Sequence, residues 1–304
     1  MTKKLRIGTR DSQLAVWQSS FVQQLLAEKG IASELVYIKS DGDINITTPL
    51  YEMGVQGIFT KTLDIALLNN IIDIAVHSMK DVPVVLAREI QQAAVLERAS
   101  HNDRLVYKNN LQFLQTGENG IVASSSIRRI AQWTHKYPEH KMVSLRGNVN
   151  TRLRKLEESE WNGAIFAAAG LERIGLRPQQ SIDLDWMLPA PAQGAIMVAC
   201  REGDMDAINN VGFINHPATA LCAMIERSFL KTLQGGCSSP VSALATVSGD
   251  MVQFSGSIAS HDGSELEEIS RTVPVQQAEG LGQEAATTLL LSEKDWIKKV
   301  LKRS

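Results

Sequence analysis

The first third of the chain alternates short apolar segments with longer amphipathic ones. Residues 5–8 predict a strand, and the apolar positions of residues 13–28 recur at helical spacing. Asp11 or Ser12 is placed to cap this helix, and Gly30 is placed to end it. The same order recurs as a predicted strand at 34–38, a helix near 59–68 and a strand at 71–76. Such alternation predicts a parallel sheet covered by helices.

A second block of the same kind starts near Arg104. Its predicted strands, at residues 121–123, 142–145 and 164–169, each lead into small residues and arginine. Ligands of open parallel sheets gather at the carboxyl ends of the strands, where helix N-termini offer N–H groups to anions. The arginines are therefore placed where a carboxylated ligand would dock.

The last third of the chain has a different pattern. Residues 195–201 predict a strand that returns to the first domain, which would give two crossing connections and a hinge. A long helix is predicted at 217–233, followed by alternating segments at 242–247, 252–258 and 265–273 with short turns. Period-two alternation predicts an antiparallel meander and hence an α+β domain.

The length of the chain indicates several domains. A chain of 304 residues exceeds what one hydrophobic core organises, and about 150 residues per domain suggests two domains, with three not excluded. We predict the α/β class, with two α/β domains and a smaller C-terminal α+β domain. The predicted boundaries are residues 1–98 with 193–213 for domain 1, 102–189 for domain 2 and 217–304 for domain 3.

Composition and charge exclude several classes of protein. With 44% apolar and 21% charged residues, the chain is expected to be compact and globular. A net charge of -2 gives no overall attraction to nucleic acid. The N-terminus lacks the apolar stretch of a signal peptide, and no run approaches the roughly 20 apolar residues of a membrane span. We expect a cytoplasmic protein with no membrane or nucleic-acid partner.

Arginine recurs in loops that follow the predicted strands. These loops carry Arg10, the pair Arg128 and Arg129, the pair Arg146 and Arg152, and Arg173. A guanidinium group binds a carboxylate through two hydrogen bonds, and nearby serine hydroxyls add further donors. Any one arginine alone is more often an ordinary surface residue. Recurrence at strand ends instead predicts a ligand with several carboxylates.

A charged turn follows the apolar strand predicted at residues 71–76. Lys80 and Asp81 should emerge at the mouth of the sheet, and Pro83 restrains the residue before it. A carboxylate there could exchange protons and stabilise a cationic intermediate. The alternative for Asp81 is a turn-forming or capping role, which is commoner. We expect His77 to be a structural hydrogen-bonding residue.

One of the three cysteines lies in a glycine loop. Cys237 follows Gly235 and Gly236, between a predicted helix and a predicted strand, where its sulfur is accessible. Both a chemically used thiol and a buried inert thiol are consistent with this position. Cys200 and Cys222 are predicted to be buried and inert. The scattered cysteines suggest neither a disulfide framework nor a metal site, and they favour a reducing cytosol.

Seven ordered motifs together resemble the porphobilinogen deaminase family. They are IGTRDSQLAVWQ at 7–18, DIAVHSMKDVP at 73–83, SSIRR at 125–129, SLRGNVNTRL at 144–153, AAAGLERIGL at 167–176, QGA at 193–195 and GGC at 235–237. The resemblance runs from Arg6 to about residue 240 and is weaker in the last sixty residues. No single motif would suffice, but chance agreement of all seven in order is negligible.

The resemblance implies a fold and an activity. It implies three domains, the first two similar in architecture to a periplasmic binding protein, with the active cleft between them. It further implies a dipyrromethane cofactor bound covalently to Cys237 through a thioether. The implied reaction joins four porphobilinogen molecules head to tail with loss of ammonia and then releases hydroxymethylbilane by hydrolysis. The implied partner is this small-molecule substrate alone, and we expect a monomer.

The motif positions also imply roles for individual residues. Asp81 matches the catalytic aspartate, which stabilises positive charge and assists proton transfer. Cofactor-binding residues by the same match are Cys237, Lys80, Asp81, Ser126, Arg128, Arg129 and Arg146. Substrate-binding residues are Arg10, Ser12, Gln18, Lys61, Arg129, Arg152, Arg173 and Gln193. Which of Arg128 and Arg129 contacts cofactor and which contacts substrate stays open, and no metal ligand is implied.

The segment 41–62 resembles the active-site lid of the family but departs from its pattern. Asp41 and Gln56 stand at positions that are usually basic, and Thr62 replaces the usual glutamate. Lys61 and Asp43 are retained. We expect activity to survive, with altered substrate affinity or lid dynamics.

Two other functions are compatible with parts of the pattern. A non-catalytic solute-binding protein would share the two-lobed architecture and the arginines, but Cys237 would have no role in it. A cysteine hydrolase needs a base near Cys237, and neither His216 nor His261 has an evident pairing with it.

Overall fold

A computed structural model describes residues 4–39, 60–116, 119–235, 239–292 and 294–301. The predictions on Asp41, Asp43, Gln56 and Cys237 lie outside these residues. The strands are β1 Leu5–Thr9, β2 Ser33–Tyr37, β3 Ile74–Ser78, β4 Ile90–Val95, β5 Asp103–Tyr107, β6 Ile121–Ala123, β7 Lys141–Val143, β8 Gly163–Ala167, β9 Ser181–Asp183, β10 Ile196–Arg201, β11 Val241–Ser248, β12 Met251–Ala259 and β13 Leu266–Pro274.

Helices connect the strands and cover the sheets. The α-helices of the described residues are Gln13–Glu28, Lys61–Leu68, Gln112–Thr116, Ile127–Lys136, Val149–Glu158, Ala168–Arg173, Met205–Val211, Pro217–Thr232, Leu281–Leu290 and Asp295–Leu301. Of the two residues predicted to cap the first helix, Ser12 is the cap, because its hydroxyl accepts from the backbone N–H of Ala15. No helix in the described ranges combines the length and apolar character that a membrane span requires.

The first sheet has the order β2-β1-β3-β10-β4. β1 pairs in parallel with β2 and β3, whereas β10 runs antiparallel to both of its neighbours. Successive side chains of β3 alternate between the two faces, since Ile74 and Val76 pack in one apolar cluster and Ala75 packs in the other. We call this sheet with its helices the first lobe.

The second sheet has the order β7-β6-β8-β5-β9. β6 pairs in parallel with β7 and β8, while β5 is antiparallel to β8 and β9. Trp133, on the helix Ile127–Lys136, is fully buried against this sheet with Leu105, Val122 and Ile165. We call this sheet with its helices the second lobe.

The predicted parallel pairing holds for the first three strands of each five-stranded sheet, but the strand in the fourth position is antiparallel, so both sheets are mixed. The reason lies in the two segments that cross between the lobes. Residues 96–102 lead into β5, and residues 184–195 lead into β10. Both strands start at the edge where the parallel strands end, because Asp103 pairs with Ala167 of β8 and Ile196 pairs with Ser78 of β3. A short crossing between adjacent edges forces the reversed direction.

The C-terminal residues form the expected meander, with β12 between β11 and β13. The helix Pro217–Thr232 packs on it through Phe229, whose ring lies 5.3 Å from that of Phe254. A side chain on Gly282 would clash with the backbone oxygen of Ile225, so glycine permits this close helix contact. The predicted class, two α/β units and a smaller α+β unit, is therefore confirmed. The exact domain boundaries stay a prediction.

A buried glutamate joins this C-terminal unit to both crossings. Glu226 has no exposed surface. Its carboxylate accepts from Nη1 of Arg98 at 2.8 Å and from Nη2 of Arg98 at 3.0 Å. It also accepts from the backbone N–H groups of Ala192 at 2.6 Å and Ala245 at 2.7 Å. One side chain thus fixes a residue of each crossing and one strand of the meander.

Candidate active site

The carboxyl ends of the parallel strands in both lobes carry the predicted site residues. Arg10 follows β1, the turn with Lys80 and Asp81 follows β3, and the pair Arg128 and Arg129 follows β6. Ser126, Arg146 and Arg173 also follow strands of the second lobe. The arrangement agrees with the expectation that ligands bind at this edge of an open α/β sheet.

Side chains of the two lobes meet directly at this edge. Nδ2 of Asn150 donates to Oε1 of Gln13 at 2.7 Å. Nη2 of Arg173 donates to the backbone oxygen of Gly194 at 2.5 Å, and its guanidinium carbon lies 5.9 Å from the centre of the Trp17 ring. The strand ends of both lobes therefore face one shared cleft.

A buried carboxylate holds the adjacent arginines of the second lobe. Asp103 is 0% exposed, and its Oδ1 accepts from Nε of Arg129 at 3.0 Å and from Nη2 of Arg129 at 2.7 Å. Its Oδ2 lies 2.7 Å from Nη2 of Arg128. Burial favours a raised pKa for Asp103, but the charges of both arginines and hydrogen bonds from Arg129 and Gln193 outweigh it and hold the pKa well below its usual range. Asp103 is a permanent anion between two cations.

The two arginines also bind the backbone. Nη1 of Arg128 donates to the oxygen of Leu188 at 2.8 Å, and Nη1 of Arg129 donates to the oxygen of Ile165 at 3.0 Å. Nε of Arg128 is buried without a hydrogen-bond partner in the described part of the chain. Both side chains are thus held in place, and Arg128 keeps one donor unused.

An amide links this cluster to the first lobe. Nε2 of Gln193 donates to Oδ1 of Asp103 at 2.9 Å and to the backbone oxygen of His101 at 2.8 Å. Its Oε1 accepts from Nζ of Lys80 at 3.2 Å. Gln193 is 1% exposed, so these bonds satisfy a polar group that water hardly reaches. The cations of both lobes are therefore connected through Gln193.

The turn with Lys80 and Asp81 is a single 3-10 turn, Met79–Asp81. The pKa of Lys80 is lowered to about 8, chiefly by burial; the charges of Arg129 and Arg128 act in the same direction, and those of Asp81 and Asp103 oppose it. Asp81 itself is exposed at the cleft. Arg227, on the helix Pro217–Thr232, donates to the backbone oxygens of Val82 at 2.8 Å and Pro83 at 2.6 Å. These bonds hold the end of the turn in place.

Arg152 and Arg146 lie on the opposite wall. Nε of Arg152 donates to the oxygen of Gly147 at 2.7 Å. The pKa of Arg152 is lowered to about 10, chiefly by burial; the charges of Arg129 and Arg146 add to this lowering, and the charge of Asp81 opposes it. Burial also lowers the pKa of Arg146. The carboxylate of Asp81 is thus close enough to affect an arginine of the other lobe.

Arg173 is also desolvated. Burial lowers the pKa of Arg173 to about 10, and the charge of Glu172 opposes this only in part. A guanidinium group with a lowered pKa gains more from an added carboxylate than an exposed one does.

Arg10, Ser12 and Gln18 belong to the first lobe. Burial and, to a smaller extent, the nearby charge of Arg10 together lower the pKa of His77 to about 4, so His77 is uncharged at neutral pH. Ser12 caps its helix, as described above. Nε2 of Gln18 donates to the hydroxyl of Ser78 at 2.8 Å, which ties that helix to the end of β3.

The remaining predicted residues are less constrained. Lys61 begins a helix and is exposed, and Thr62 beside it is half-buried. Ser126 stands at the N-cap position of the arginine helix without a side-chain capping bond. Cys237 is outside the described residues. Cys200 and Cys222 are buried, as predicted.

The described cleft contains more cations than carboxylates. The cationic residues described above are Arg10, Lys80, Arg128, Arg129, Arg146, Arg152 and Arg173, and the carboxylates that act on them are Asp81, Asp103 and Glu172. Crowded, desolvated positive charge is costly unless anions compensate it. This surplus and the unused Nε of Arg128 fit a ligand with several carboxylate groups.

Sequence reasoning missed Asp103 and Glu226. Asp103 occupies the first position of an apolar strand, and the only signal for it was that two adjacent arginines require a counter-charge. Glu226 had a clearer signal, because it shares a helix face with the apolar residues Cys222, Ile225 and Phe229. A single charge on such a face indicates a buried ion pair.

The geometry gives no support to a cysteine hydrolase that uses His216. Nδ1 of His216 lies 2.9 Å from the hydroxyl of Thr219 and accepts from its backbone N–H, capping the helix Pro217–Thr232. The imidazole is therefore engaged in holding its own helix.

Two family models match the chain. "Porphobilinogen deaminase, dipyromethane cofactor binding domain" matches residues 5–209, and "Porphobilinogen deaminase, C-terminal domain" matches residues 220–291. The chain belongs to the porphobilinogen deaminase family. The first model names a dipyrromethane-binding domain, and the charge surplus of the cleft fits the carboxylates of that cofactor.

Curated relatives of this family match nearly the whole chain. The porphobilinogen deaminase of Syntrophotalea carbinolica is 41% identical over 297 residues, covering 96% of this chain and 94% of the relative. That of Geobacter sulfurreducens is 40% identical, covering 94% and 91%. That of Campylobacter hominis is 38% identical, covering 93% of each. The suspected family is therefore confirmed.

Solved structures include distant matches. The methionine binding protein MetQ is 14% identical with a TM-score of 0.42, covering 69% of this chain and 88% of that chain. An ancestral cationic amino acid solute binding protein is 15% identical with a TM-score of 0.44, covering 69% and 87%.

Proposed function

We propose that this chain condenses four porphobilinogen molecules head to tail, with loss of ammonia, and hydrolyses the product to hydroxymethylbilane. Membership of the family makes it an enzyme of tetrapyrrole synthesis. The observation that carries the proposal is the surplus of partly desolvated cations around Asp81, because porphobilinogen and its oligomers carry two carboxylates on each pyrrole.

A dipyrromethane attached to Cys237 through a thioether is the proposed cofactor. When bound, it supplies the nucleophilic free α-carbon of its terminal pyrrole. Residues of this chain that would hold its carboxylates through charge-assisted hydrogen bonds are Lys80, Ser126, Arg128, Arg129 and Arg146. Arg128 and Arg129 enter this role already oriented by Asp103, which reduces the entropy lost on binding.

The substrate is proposed to bind to a second set of residues, which shares Arg129 with the cofactor set and includes three uncharged side chains. Arg10, Ser12, Gln18, Lys61, Arg129, Arg152, Arg173 and Gln193 are the proposed substrate-binding residues. Arg152 and Arg173 are buried enough for their pKa values to fall to about 10, so a carboxylate there meets little competition from water. Gln18 acts through Ser78, which it hydrogen-bonds, and fixes the strand end before the catalytic turn.

Asp81 is proposed as the catalytic residue. Loss of ammonia from porphobilinogen leaves a cationic methylenepyrrolenine, and a carboxylate beside it stabilises that charge. The same carboxylate accepts the proton that the pyrrole carbon loses after the new bond forms. Arg227 and the 3-10 turn hold Asp81 at the cleft, while Arg152 sets the electrostatic surroundings from the opposite wall.

The intact mass of protein purified from cells tests this proposal. We expect a mass excess equal to two linked pyrroles in the wild type and none in Cys237→Ser. Cys222→Ser is the matched control, because Cys222 is a buried thiol on a helix, and it should keep the excess. Unmodified wild type that stays unmodified after incubation with porphobilinogen would contradict the proposal and favour a binding protein instead.

A further inference from the structure

Both crossings between the lobes end beside the site cations. Because β5 and β10 run antiparallel to their neighbours, their first residues lie at the carboxyl ends of β8 and β3. Asp103 is the first residue of β5, and Gln193 lies just before β10. The two side chains hydrogen-bond at 2.9 Å, so the crossings are joined where they reach the cleft.

We propose that Asp103 and Gln193 are positioning residues that fix Lys80 of the first lobe relative to Arg128 and Arg129 of the second. This inference rests on the proposed function for its catalytic consequence, although the positioning itself is a property of the free protein. Asp103 acts through the cations alone, whereas Gln193, which is also a proposed substrate-binding residue, has this positioning role in addition.

Hydrogen-bond geometry supports a fixed spacing. Three donors converge on Oδ1 of Asp103 within 3.0 Å, namely Nε and Nη2 of Arg129 and Nε2 of Gln193. The amide oxygen Oε1 of Gln193 accepts a hydrogen bond from Nζ of Lys80 at 3.2 Å, so the same side chain contacts both Asp103 and Lys80. A shift of about 1 Å between the lobes would break the hydrogen bond between Lys80 and Gln193 and leave the buried amide oxygen of Gln193 without this donor. The pair therefore resists changes in the distance between the cleft walls.

The charges around Lys80 also support a positioning role for Asp103. The charged groups that act on Lys80 are Asp81 on its own turn and Asp103, Arg128 and Arg129 on the second lobe. Asp103 is the anion of the opposite lobe in this set, and it offsets the repulsion between Lys80 and the two arginines. Without Asp103, three cations would approach one another with only Asp81 to compensate them.

Chemical labelling of Lys80 tests the positioning without turnover. An amine-reactive reagent applied across a pH range, with the Lys80 peptide quantified by mass spectrometry, reports the midpoint of its ionisation. All variants carry Cys237→Ser, so that no cofactor carboxylate is bound to Lys80, and we expect a midpoint of about 8 in Cys237→Ser itself. Gln193→Met removes the acceptor and Asp103→Asn removes the anion, so both should lower the midpoint, while Gln193→Glu should raise it. An unchanged midpoint in folded Gln193→Met and Gln193→Glu would overturn the proposal.

Kinetics with porphobilinogen tests the consequence. We expect Gln193→Met to lower kcat/KM about tenfold, the effect of losing a hydrogen bond to a charged group. Asp183→Asn is the control, since Asp183 also pairs with an arginine of the second lobe but lies on the outer strand β9. Equal losses in the control and Gln193→Met would overturn the proposal. A wild type that consumes no porphobilinogen would overturn the proposed function, while the labelling result would still decide the positioning.

Discussion

Asp103 and Glu226 are both fully buried carboxylates that bind arginine, yet the charge around them differs. Asp103 faces Arg128 and Arg129 directly and Lys80 through Gln193, so cations outnumber it. Glu226 faces Arg98 with two hydrogen bonds and two backbone N–H groups, so its charge is matched one to one.

The pKa directions reflect this difference. The pKa of Asp103 is held below its usual range in spite of burial, because positive charge dominates. Burial raises the pKa of Glu226, and Arg98 with the two amides offsets this only in part. A charge-balanced cluster is complete in itself and holds the chain together. A cluster with surplus charge is complete only with a ligand, which separates a structural junction from a binding site.

The largest expected effect is the loss of turnover when a carboxylate of the cleft is removed. Asp81→Asn should reduce turnover of porphobilinogen by roughly 100- to 10,000-fold, because the carboxylate that we propose to stabilise the cation and to accept the proton is removed. Thermal denaturation should be nearly unchanged, since Asp81 is exposed. Steady-state assays and circular dichroism check both parts, and wild-type turnover would remove Asp81 from the catalytic role.

The next largest effect is the loss of stability when Glu226 is removed. Glu226→Ala should lower the free energy of unfolding by about 3–5 kcal/mol, because Arg98 would stay buried without its counter-charge. The double variant Arg98→Met with Glu226→Leu should lose less, since no lone charge remains. Urea denaturation of both variants measures this. A larger loss in the double variant would contradict the charge-balance argument.

Lys80 provides a pH test of the cleft. Its pKa is lowered to about 8, so its ammonium is charged below that pH and neutral above it. The KM for porphobilinogen should rise as pH increases through about 8, because a neutral Lys80 no longer adds to the positive charge of the cleft that attracts the carboxylates of the substrate. In Lys80→Arg, this rise in KM should occur at higher pH, since a guanidinium stays charged. If KM rose over the same pH range in the wild type and in Lys80→Arg, the rise would be due to another ionisable group.

Opposite slopes of stability against pH should distinguish the two carboxylates. The folded pKa of Asp103 is depressed, so its contribution is present above the unfolded value of 3.8 and is lost as pH falls below it. The folded pKa of Glu226 is raised, so its contribution is present below the unfolded value of 4.5 and is lost as pH rises through the folded value. Urea denaturation of wild type, Asp103→Asn and Glu226→Gln from pH 7 to acid gives the differences. Slopes of equal sign would contradict the comparison.

The smallest effect is expected at an exposed ion pair. Asp183 lies 2.6 Å from Nε of Arg104 and is about one-third exposed, at 33%. Asp183→Asn should lower the free energy of unfolding by about 1 kcal/mol or less, since water screens such pairs. A loss similar to that of Glu226→Ala would show that burial does not govern these pairs.

Much of the local structure could be predicted because periodicity reports burial directly. The first helix begins after Ser12 and ends at Glu28 as expected, and the three strands of the meander lie within two residues of their predicted positions. Strand direction could not be predicted in the same way. An apolar run such as β5 or β10 is the same pattern in either direction, and only the path of the crossings decides it.

The site was predicted in its parts but not in its connections. Arginines and Asp81 were recognisable at strand ends because charged residues after apolar strands indicate a ligand edge. That Arg128 and Arg129 share one carboxylate was not recognisable, since Asp103 lies 25 and 26 positions earlier in the chain, between ordinary residues. Long-range ion pairs leave no local pattern.

The sequence by itself determined the family, the order of strands and helices, and the residue types at the cleft, since these depend on local pattern and motif identity. The tertiary structure decided which charges meet. Reversed strands bring both crossings to one edge, where Asp103 and Gln193 join the two lobes. Coulomb energies and hydrogen bonds depend on distances in space, and only the folded chain sets those distances.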